Sequence, residues 1–548
     1  MTFVPQNIMV RGTNWVGDAV MTLPAVSALA AAFPQSRLTV LTRPWAAGVY
    51  EHHGQMAGVI GHDQGGLHRG LGGRIRLASQ LRSHHFDLAM LFQNAFEAAL
   101  TAFLARIPNR WGYARDGRSC LLTKAIKLEP ADQFIHESFY YLNILERAGI
   151  PAPFCLPHLM PKPESLAEAN RLLAEAGIRE GEFILALAPG AAFGSAKRWP
   201  VENFAVAARL ILDMAGGWGM ILGGQGEADV AAELAALLPG QAINMAGRTS
   251  LAVSLALLQK AGLLLTNDSG LMHLGGALGV PLVAAFGPTN PLTTAPLGQS
   301  RLVRSPVPCS PCLKRECPLP HRLCFDGVTP ELVAAEAISL LGQSPAPGLR
   351  PAVFLDRDGT INIDVNFLSR PEDLRLIDGA AEAIAALNQA NLAVVVVTNQ
   401  SGLARGLFTF DDLERIHERL QILLAEKGAR IDAFYFCPHH PDGTEPGLNI
   451  NCGCRKPLPR LFEQAAKDLS LDMTRSFWVG DRFRDLKAAT AFKGRTVLVL
   501  TGDGLSEVQK QAYFQPSLVA PDLRRAAEWI TAVAALGRHQ SASQGYFS

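Results

Sequence analysis

The sequence predicts an α/β protein made of two Rossmann-like halves followed by a third Rossmann-like domain. The first observation is length, because 548 residues at roughly 100–200 residues per domain imply three or four folded units. The second is that short apolar runs alternate with longer amphipathic stretches, as parallel α/β layers require. The third is that glycine-containing polar motifs repeatedly follow the apolar runs, where the carboxyl ends of parallel strands are expected.

Composition excludes several classes of protein. The 50 Lys and Arg residues balance 49 Asp and Glu residues, which argues against general nucleic-acid binding. A hydrophobic content of 48% with 18% charged residues predicts sizeable cores. No apolar run approaches the roughly 18–20 residues that span a bilayer, and the segment Met1–Val10 lacks a signal-peptide pattern. We therefore expect a soluble cytoplasmic protein.

The first two repeats of the pattern divide the first 341 residues, with a boundary near residue 175. The half 1–175 has strands predicted at Asn7–Val10 and Leu38–Leu41 and a helix at Ala19–Phe33. The half 176–341 has four predicted strands, at Phe183–Leu187, Gly219–Leu222, Leu263–Thr266 and Pro281–Ala284.

A segment rich in Pro, Gly and Ser separates these halves from the rest. Residues 342–350 are predicted to be a linker, since this composition disfavours helix and central strand. A new first strand is predicted at Ala352–Leu355, opening a domain over 351–537. Residues 538–548 are predicted to be a disordered polar tail.

Three polar motifs follow predicted strands in the third domain: Asp356–Thr360, Thr398–Ser401 and Gly480-Asp481. Parallel strands bring these ends to one crevice. Asp356 and Asp481 supply the oxygen ligands that Mg²⁺ prefers, a carboxylate beside that ion can attack phosphorus, and Asp358 can exchange protons with the leaving oxygen and water. Taken alone, Asp-x-Asp-Gly is also an ordinary turn.

Seven of the nine cysteines fall into two groups. Cys437-x-His439 and Cys452-x-Cys454 form a set suited to tetrahedral structural Zn²⁺, which would position the following Lys456. His440 is expected to be a loop residue instead of a ligand. The other interpretation is a set of reduced thiols.

The second group comprises Cys309, Cys312, Cys317 and Cys324, with His321 between them. Their spacing leaves metal binding and free thiols both open.

Residues from about 350 to 535 resemble the haloacid dehalogenase (HAD) phosphatase superfamily and, within it, the D-glycero-D-manno-heptose 1,7-bisphosphate 7-phosphatases. The matching text includes Phe354–Asn362, Val397–Gly402 and Cys437–Pro441. The resemblance implies Asp356 as the nucleophile that becomes an aspartyl phosphate and Asp358 as general acid and base. It implies Mg²⁺ held by Asp356, the carbonyl of Asp358 and Asp481, with Asp485 supporting the ion through water. The implied substrate-binding residues are Thr398, Asn399, Arg455 and Lys456. Histidinol-phosphate phosphatases share the zinc loop and remain the alternative.

Three segments of the first 341 residues carry candidate transfer chemistry. Asp18, near the start of a predicted helix, is a candidate base or a helix cap. The glycine-containing loop Gly190–Trp199 offers Lys197 to a diphosphate. Thr266–His273 runs from a strand into a helix whose first N–H groups suit an anion, with Asp268 or Ser269 as a simple cap in the other interpretation.

Two α/β halves fit a GT-B architecture, and residues 5–340 resemble the lipopolysaccharide heptosyltransferases, most closely heptosyltransferase II. The resemblance implies inversion at the anomeric carbon, no obligatory metal, and Asp18 as catalytic base. It implies that the diphosphate of ADP-heptose is bound by Lys197 and Asp268-Ser269-Gly270, with His273 nearby. Either Glu227 or Asp229 would contact the donor.

Four arginines between the predicted strands have two possible roles: they face the phosphorylated acceptor, or they belong to a solvated loop or helix surface. They are Arg69, Arg74, Arg76 and Arg82.

Together the two resemblances imply one bifunctional enzyme of the lipopolysaccharide inner core. It would hydrolyse the 7-phosphate of heptose 1,7-bisphosphate and transfer L-glycero-D-manno-heptose from ADP-heptose to a core heptose. A different core acceptor is the alternative for the transferase. Since the acceptor is a lipid A-core molecule, we expect a cytoplasmic protein that is peripheral at the inner membrane. The expected cofactors are Mg²⁺ and structural Zn²⁺.

Overall fold

Three six-stranded parallel sheets organise the computed structural model of this chain. The structure describes residues 3–319, 322–342, 348–510 and 514–540, the last four by their backbone alone. Each sheet has the same relative strand order, with the first strand central and the fourth strand beside it. This 3-2-1-4-5-6 order creates a switch point between the first and fourth strands, where ligands bind at carboxyl ends. The predicted α/β class is confirmed.

The first sheet is formed by the N-terminal half. Its central strands are buried apolar runs because helices cover both faces of a parallel sheet; Ile8, Met9 and Val10 are fully buried. Two further helices lead to the second sheet. The elements, in chain order, are β1 (Asn7–Arg11), α1 (Val16–Ala32), β2 (Arg37–Thr42), α2 (Pro44–Glu51), β3 (Gly58–Gly61), α3 (Gly70–Arg82), β4 (Leu88–Leu91), α4 (Phe96–Leu104), β5 (Asn109–Tyr113), β6 (Lys124–Ile126), α5 (Glu137–Arg147) and α6 (Pro163–Glu175).

The second sheet follows the same plan. Its elements are β7 (Ile184–Ala188), α7 (Val201–Ala215), β8 (Trp218–Ile221), α8 (Ala228–Leu237), β9 (Ala242–Asn244), α9 (Leu251–Gln259), β10 (Leu263–Asn267), α10 (Gly270–Ala277), β11 (Leu282–Phe286), α11 (Pro291–Thr294), β12 (Ser300–Arg304), α12 (Leu323–Asp326) and α13 (Pro330–Leu341). Helix α13 packs against α7. It begins where the Thr329 hydroxyl accepts a hydrogen bond from Leu332 N at 3.3 Å and Pro330 takes the first helical position.

The third sheet belongs to the C-terminal part of the chain. Its fourth strand, beside the central one, carries Trp478, which is fully buried and packs against the ring of Phe354 on the central strand, with 4.9 Å between ring centroids. The elements are β13 (Ala352–Leu355), α14 (Ala380–Gln389), β14 (Ala393–Asn399), α15 (Ser401–Ala404), α16 (Phe410–Ala425), β15 (Ala433–Cys437), α17 (Arg460–Leu469), β16 (Phe477–Gly480), α18 (Phe483–Leu486), β17 (Arg495–Val499), α19 (Gly504–Gln509), β18 (Leu518–Ala520) and α20 (Leu523–Gln540).

The chain divides into two compact units. Among the described residues, the first unit contains 3–129 and 140–342, and the second contains 130–139 and 348–540. The first two sheets therefore lie in the first unit and the third sheet in the second. Most of the predicted linker, residues 343–347, lies outside the described residues.

The last helix overlaps the start of the predicted tail. The apolar positions of α20, such as Ile530 and Val533, are buried at a helical spacing, and the helix is assigned through Gln540, three residues into the tail predicted from residue 538. Residues 541–548 lie outside the described residues. Among the described helices, none is long and apolar enough to span a bilayer.

Candidate active sites

Three buried carboxylates meet at the switch point of the third sheet. Asp356 follows β13 and Asp481 follows β16, and these two strands are neighbours. Asp485, in α18, joins them, so that one oxygen from each of the three lies within 4.8 Å of the others. The strand-end argument therefore brings Asp356 and Asp481 together. The resemblance implied that Asp485 supports the metal ion through water, whereas its own carboxylate belongs to the group.

The ammonium group of Lys456 is buried among these carboxylates. Its Nζ lies 2.7 Å from Asp356 Oδ1 and 2.8 Å from Asp485 Oδ1, and it donates to the Val397 carbonyl oxygen at 2.7 Å. Asn399 holds the lysine backbone, accepting from Lys456 N at 3.0 Å and donating to Lys456 O at 3.2 Å. Asn399, predicted to bind substrate, thus positions the lysine.

The carboxylate cluster retains uncompensated negative charge. Burial, reinforced by the charge of Asp356, raises the pKa of Asp481 to about 8, and burial with the charge of Asp485 raises the pKa of Asp356 to about 6. Asp481 Oδ2 accepts from Asp503 N at 2.8 Å, while Asp481 Oδ1 is buried without a hydrogen-bond partner among the described residues. A divalent cation with oxygen ligands fits this donor set.

The backbone approaches Asp481 closely at Gly359. This residue has a φ of 81°, and a Cβ there would lie 2.4 Å from Asp481 Oδ2. Any larger residue would be strained and would displace the carboxylate. The Asp-x-Asp-Gly motif therefore belongs to the site and is more than a turn.

Asp358 is held as a carboxylate by three donors. The buried Arg357 guanidinium contacts it at 2.8 and 3.1 Å, Asn362 Nδ2 donates at 3.0 Å and Gln400 Nε2 at 3.2 Å. Although burial alone would raise it, the neighbouring Arg357 charge and these hydrogen bonds hold the pKa of Asp358 below its ordinary value. Gln400 also donates to Thr398 Oγ1 at 2.9 Å, which links Asp358, the predicted acid–base residue, to the predicted phosphoryl ligand.

Four zinc-type ligands converge beside Lys456. Cys437 Sγ lies 3.4 Å from both Cys452 Sγ and Cys454 Sγ, and His439 Nδ1 lies 3.2 Å from Cys454 Sγ. A tetrahedral Zn²⁺ with ordinary bond lengths separates its ligand atoms by about 3.5–3.8 Å, so the set can close around one ion. Arg455 donates to the His439 carbonyl oxygen at 3.2 Å, tying the loop to the segment that carries Lys456.

A cavity of about 720 Å³ lies between the two halves of the first unit. The first turns of α1 and α10 border it from opposite halves, so both helix dipoles favour an anion there. The helices approach closely, since a Cβ at Gly17 would lie 2.7 Å from the His273 ring. All the predicted transferase residues line this cavity: Asp18, Lys197, Asp268, Ser269, Gly270 and His273.

A buried asparagine positions the lysine of the cavity. Lys197 Nζ lies 2.7 Å from Asp268 Oδ2. Asn267, at the end of β10, accepts from Trp199 N at 3.0 Å and donates to the Pro189 carbonyl oxygen at 2.7 Å, so it clasps both ends of the glycine-containing loop. The loop therefore holds Lys197 at the carboxyl end of the sheet.

Asp18 is neither exposed nor a helix cap. It lies in the first turn of α1, after the capping position of Trp15. Burial raises the pKa of Asp18 to about 6; the Lys197 charge lowers it and the Asp268 charge raises it. This value suits a base that is ionised at neutral pH but can take a proton.

The structure separates the two candidate donor contacts. Glu227 lines the cavity and accepts from Gly224 N at 2.8 Å, whereas Asp229 lies in α8 outside the lining. Sequence reasoning missed Trp45 and Thr289, which also line the cavity. Thr289 shortly follows β11 and was detectable by the strand-end rule. Trp45 lies in a helix and had no such signal.

The structure bears differently on two open questions from the sequence. The second cysteine group is free of disulfides. Burial, with the charges of Cys309, Cys317 and Cys312, raises the pKa of the Cys324 thiol to about 11, and metal binding and free thiols both stay predictions for this group. His321 lies outside the described residues. Arg82 has a structural role, because its Nη2 donates to the Leu104 carbonyl oxygen at 2.6 Å, whereas Arg69, Arg74 and Arg76 are exposed.

Comparisons with known proteins agree with this geometry. Residues 74–322 match glycosyltransferase family 9 (heptosyltransferase), and residues 453–526 match the HAD-hydrolase-like family. D-glycero-beta-D-manno-heptose-1,7-bisphosphate 7-phosphatase of Photorhabdus laumondii is 47% identical over 163 residues, 30% of this chain and 87% of that protein. The Yersinia pestis protein of the same name is 45% identical over 28% of this chain and 81% of its own length.

The chain belongs to the heptose-1,7-bisphosphate 7-phosphatase family. That membership rests on the second unit, referred to below as the phosphatase unit. The first unit is a glycosyltransferase family 9 domain, referred to below as the transferase unit. It is similar to the structure of E. coli ADP-heptose LPS heptosyltransferase II, with 26% identity, a TM-score of 0.53, and coverage of 62% of this chain and 99% of that one. The expected GT-B and HAD-type folds are confirmed.

Replacing one predicted zinc ligand should separate the zinc loop from ordinary thiols. We expect Cys452→Ser to lower bound zinc by about one ion per chain and to destabilise the phosphatase unit, since metal binding is coupled to folding of such loops. Metal analysis and thermal unfolding measure this. Cys120→Ser, an exposed thiol outside both groups, is the matched control, and unchanged zinc in Cys452→Ser contradicts the assignment.

The pKa of Asp18 should appear in the pH dependence of the transferase unit. A base with a pKa of about 6 is protonated and inactive below that pH, so kcat/KM should rise through pH 6 and level off above it. Because the Lys197 charge lowers this pKa, Lys197→Met should move the rise to higher pH. A profile that is flat between pH 5 and 8 in both proteins would contradict Asp18 as the base.

Proposed function

We propose that this chain is a bifunctional heptose enzyme of lipopolysaccharide inner-core synthesis. The phosphatase unit hydrolyses the 7-phosphate of D-glycero-β-D-manno-heptose 1,7-bisphosphate. The transferase unit transfers L-glycero-D-manno-heptose from ADP-heptose to a heptose of the lipid A-core acceptor. The observation that carries the first activity is the Asp356, Asp481 and Lys456 cluster at one sheet edge, and the cavity holding Asp18 opposite Lys197 supports the second.

The phosphatase residues provide the parts of an aspartyl-phosphate mechanism. A carboxylate oxygen of Asp356 attacks phosphorus and the bond from phosphorus to the sugar oxygen breaks, while Asp358 protonates that oxygen. Water then attacks the aspartyl phosphate, and Asp358 takes the water proton as phosphate leaves. A Mg²⁺ ion held by Asp356, the Asp358 carbonyl and Asp481 would supply charge neutralisation to the phosphoryl oxygens.

The protonation state of Asp358 changes during this cycle. Its contacts with Arg357 keep it ionised in the free enzyme, which is the form that activates water. A phosphate dianion bound beside it favours the protonated form that the first step needs. Thr398 and Lys456 then bind the transferring group, and Arg455, whose other donors make no hydrogen bond within the described residues, is left to the substrate.

The zinc loop has a structural role in this proposal. Zn²⁺ bound by Cys437, His439, Cys452 and Cys454 would be fully coordinated by protein and so has no open position for chemistry. Its effect is to fix the segment that follows, in which Lys456 lies two residues after Cys454, the last ligand.

The transferase residues support a single inverting displacement. Asp18 removes the proton from the acceptor hydroxyl, the acceptor oxygen attacks the anomeric carbon, and ADP leaves from the opposite side. Lys197 and the first N–H groups of α10, at Ser269 and Gly270, stabilise the charge of the departing diphosphate. Burial lowers the pKa of His273 to about 4, so the ring is neutral. It lines the cavity as an uncharged polar group.

The two proposed activities belong to the same compartment. Neither adenylylation nor epimerisation is assigned to a described element, so the dephosphorylated heptose would leave before returning as ADP-heptose. We place the protein in the cytoplasm, peripheral at the inner membrane face where a lipid acceptor is available.

Single substitutions should abolish the two activities independently. We expect Asp356→Asn to lower phosphate release from the heptose bisphosphate below about one thousandth with heptose transfer unchanged. Asp18→Asn should lower transfer by about 10²–10⁴-fold with phosphate release unchanged. Both rates are measured on the full chain. Phosphate release that survives Asp356→Asn would exclude Asp356 as nucleophile.

Substrate comparison tests the pathway assignment. The heptose bisphosphate should be hydrolysed with a kcat/KM at least about a hundredfold above that of histidinol phosphate, because Arg455 has a second phosphate to bind. Transfer should require an acceptor that already carries one core heptose. A preference for histidinol phosphate contradicts the first assignment, and transfer only to heptose-free acceptor contradicts the second.

A further inference from the structure

Helix α3 of the transferase unit presents an unusual outer surface. Its inner side is buried through Leu77, Ala78 and Leu81. Leu71 and Ile75 point outward with 73% and 58% of their surface exposed, and being four residues apart they lie on one side of the helix. Leu67, in the turn before the helix, is 57% exposed.

This outer surface is also basic. Arg69, Arg74 and Arg76 are exposed and make no ion pair or side-chain hydrogen bond with a described residue. The segment Leu67–Arg82 contains no Asp or Glu. In a chain with a net charge of +1, this is a local excess of positive charge. We call Leu67, Arg69, Leu71, Arg74, Ile75 and Arg76 the α3 patch.

A series of contacts connects the α3 patch with the cavity. The ring of His68, which stands between Leu67 and Arg69 of the patch, lies beside the buried ring of His62, with 5.8 Å between the ring centroids. His62 Nε2 lies 3.6 Å from Glu97 Oε1. Gln64 donates a hydrogen bond to Glu97 and accepts one from Arg43. The Arg43 guanidinium lies over the ring of Trp45, which lines the cavity.

The chemistry of the α3 patch fits a bilayer better than a protein partner. Three apolar side chains expose far less than the roughly 600–1,000 Å² per partner that stable protein interfaces bury. Apolar side chains on a helix with flanking arginines are typical of elements that lie in the headgroup region of anionic membranes.

We propose that the α3 patch docks the transferase unit on an anionic bilayer. Its arginines bind lipid phosphates, and Leu67, Leu71 and Ile75 enter the boundary between headgroups and acyl chains. Docking would bring the Trp45 side of the cavity towards the surface that carries a lipid acceptor. The proposal deepens the membrane-face part of the proposed function, but vesicle binding needs no acceptor and is tested separately from transfer.

Vesicle co-sedimentation of the full chain tests the proposal. We expect binding to vesicles of phosphatidylglycerol and phosphatidylethanolamine and about tenfold or weaker binding to phosphatidylcholine vesicles. Arg74→Gln should weaken binding about fivefold, and the double variant Leu71→Asn with Ile75→Asn at least about tenfold. The matched controls in the same unit, Arg179→Gln and Met214→Asn, are exposed and should bind like the unmodified chain.

Three outcomes would overturn the proposal: no binding to anionic vesicles, equal binding to both vesicle types, or α3-patch variants that bind like the controls. Asp18→Asn should still bind vesicles, so a failure of the transferase assignment leaves this result untouched. If the double variant unfolds at the wild-type temperature, its loss of vesicle binding is not caused by a loss of folding. If it unfolds at a lower temperature, Arg74→Gln provides the second variant for the binding test.

Discussion

The ammonium group of Lys456 allows three carboxylates to be buried at one point in the phosphatase unit. Without it, Asp356 and Asp485 would face each other in a medium that strengthens their repulsion. Burial raises the pKa of Asp481 to about 8, and the charge of Asp356 contributes to this rise because one ammonium does not balance three carboxylates. Asp481 Oδ1 is also without a hydrogen-bond partner within the described residues. The geometry leaves a deficit of positive charge that a divalent cation satisfies.

The transferase unit solves a similar problem with the same residue types. In both units a lysine contacts an aspartate that follows a central strand, Lys197 with Asp268 and Lys456 with Asp356, at 2.7 Å in each case. In both units a strand-end asparagine holds the lysine-bearing segment by its backbone, Asn267 in one and Asn399 in the other. Both arrangements follow from parallel strands that end at one edge.

How far the sequence predicts the sites depends on how local each signal is. Asp356, Asp481 and Asp268 directly follow apolar strands, so the parallel order alone brings them to a crevice. The position of the Asp485 carboxylate and the use of Arg82 to bind the Leu104 carbonyl depend on side-chain directions and on contacts distant in sequence. Trp45 reaches the cavity from a helix. The sequence has no period or spacing that reports such packing.

The shared strand order also constrains how the chain assembles during synthesis. In each sheet the first strand is central and cannot pair with both of its neighbours until the fourth strand has been synthesised. Ile8 of β1 pairs with Leu88 of β4, and Val353 of β13 pairs with Phe477 of β16, so each of these pairings needs a strand made much later. Local pairing with the second strand comes first, and closure waits on a distant segment. On the ribosome the transferase sheets can close while the phosphatase strands are still untranslated, so the nascent chain is expected to hold one finished enzyme before the other exists.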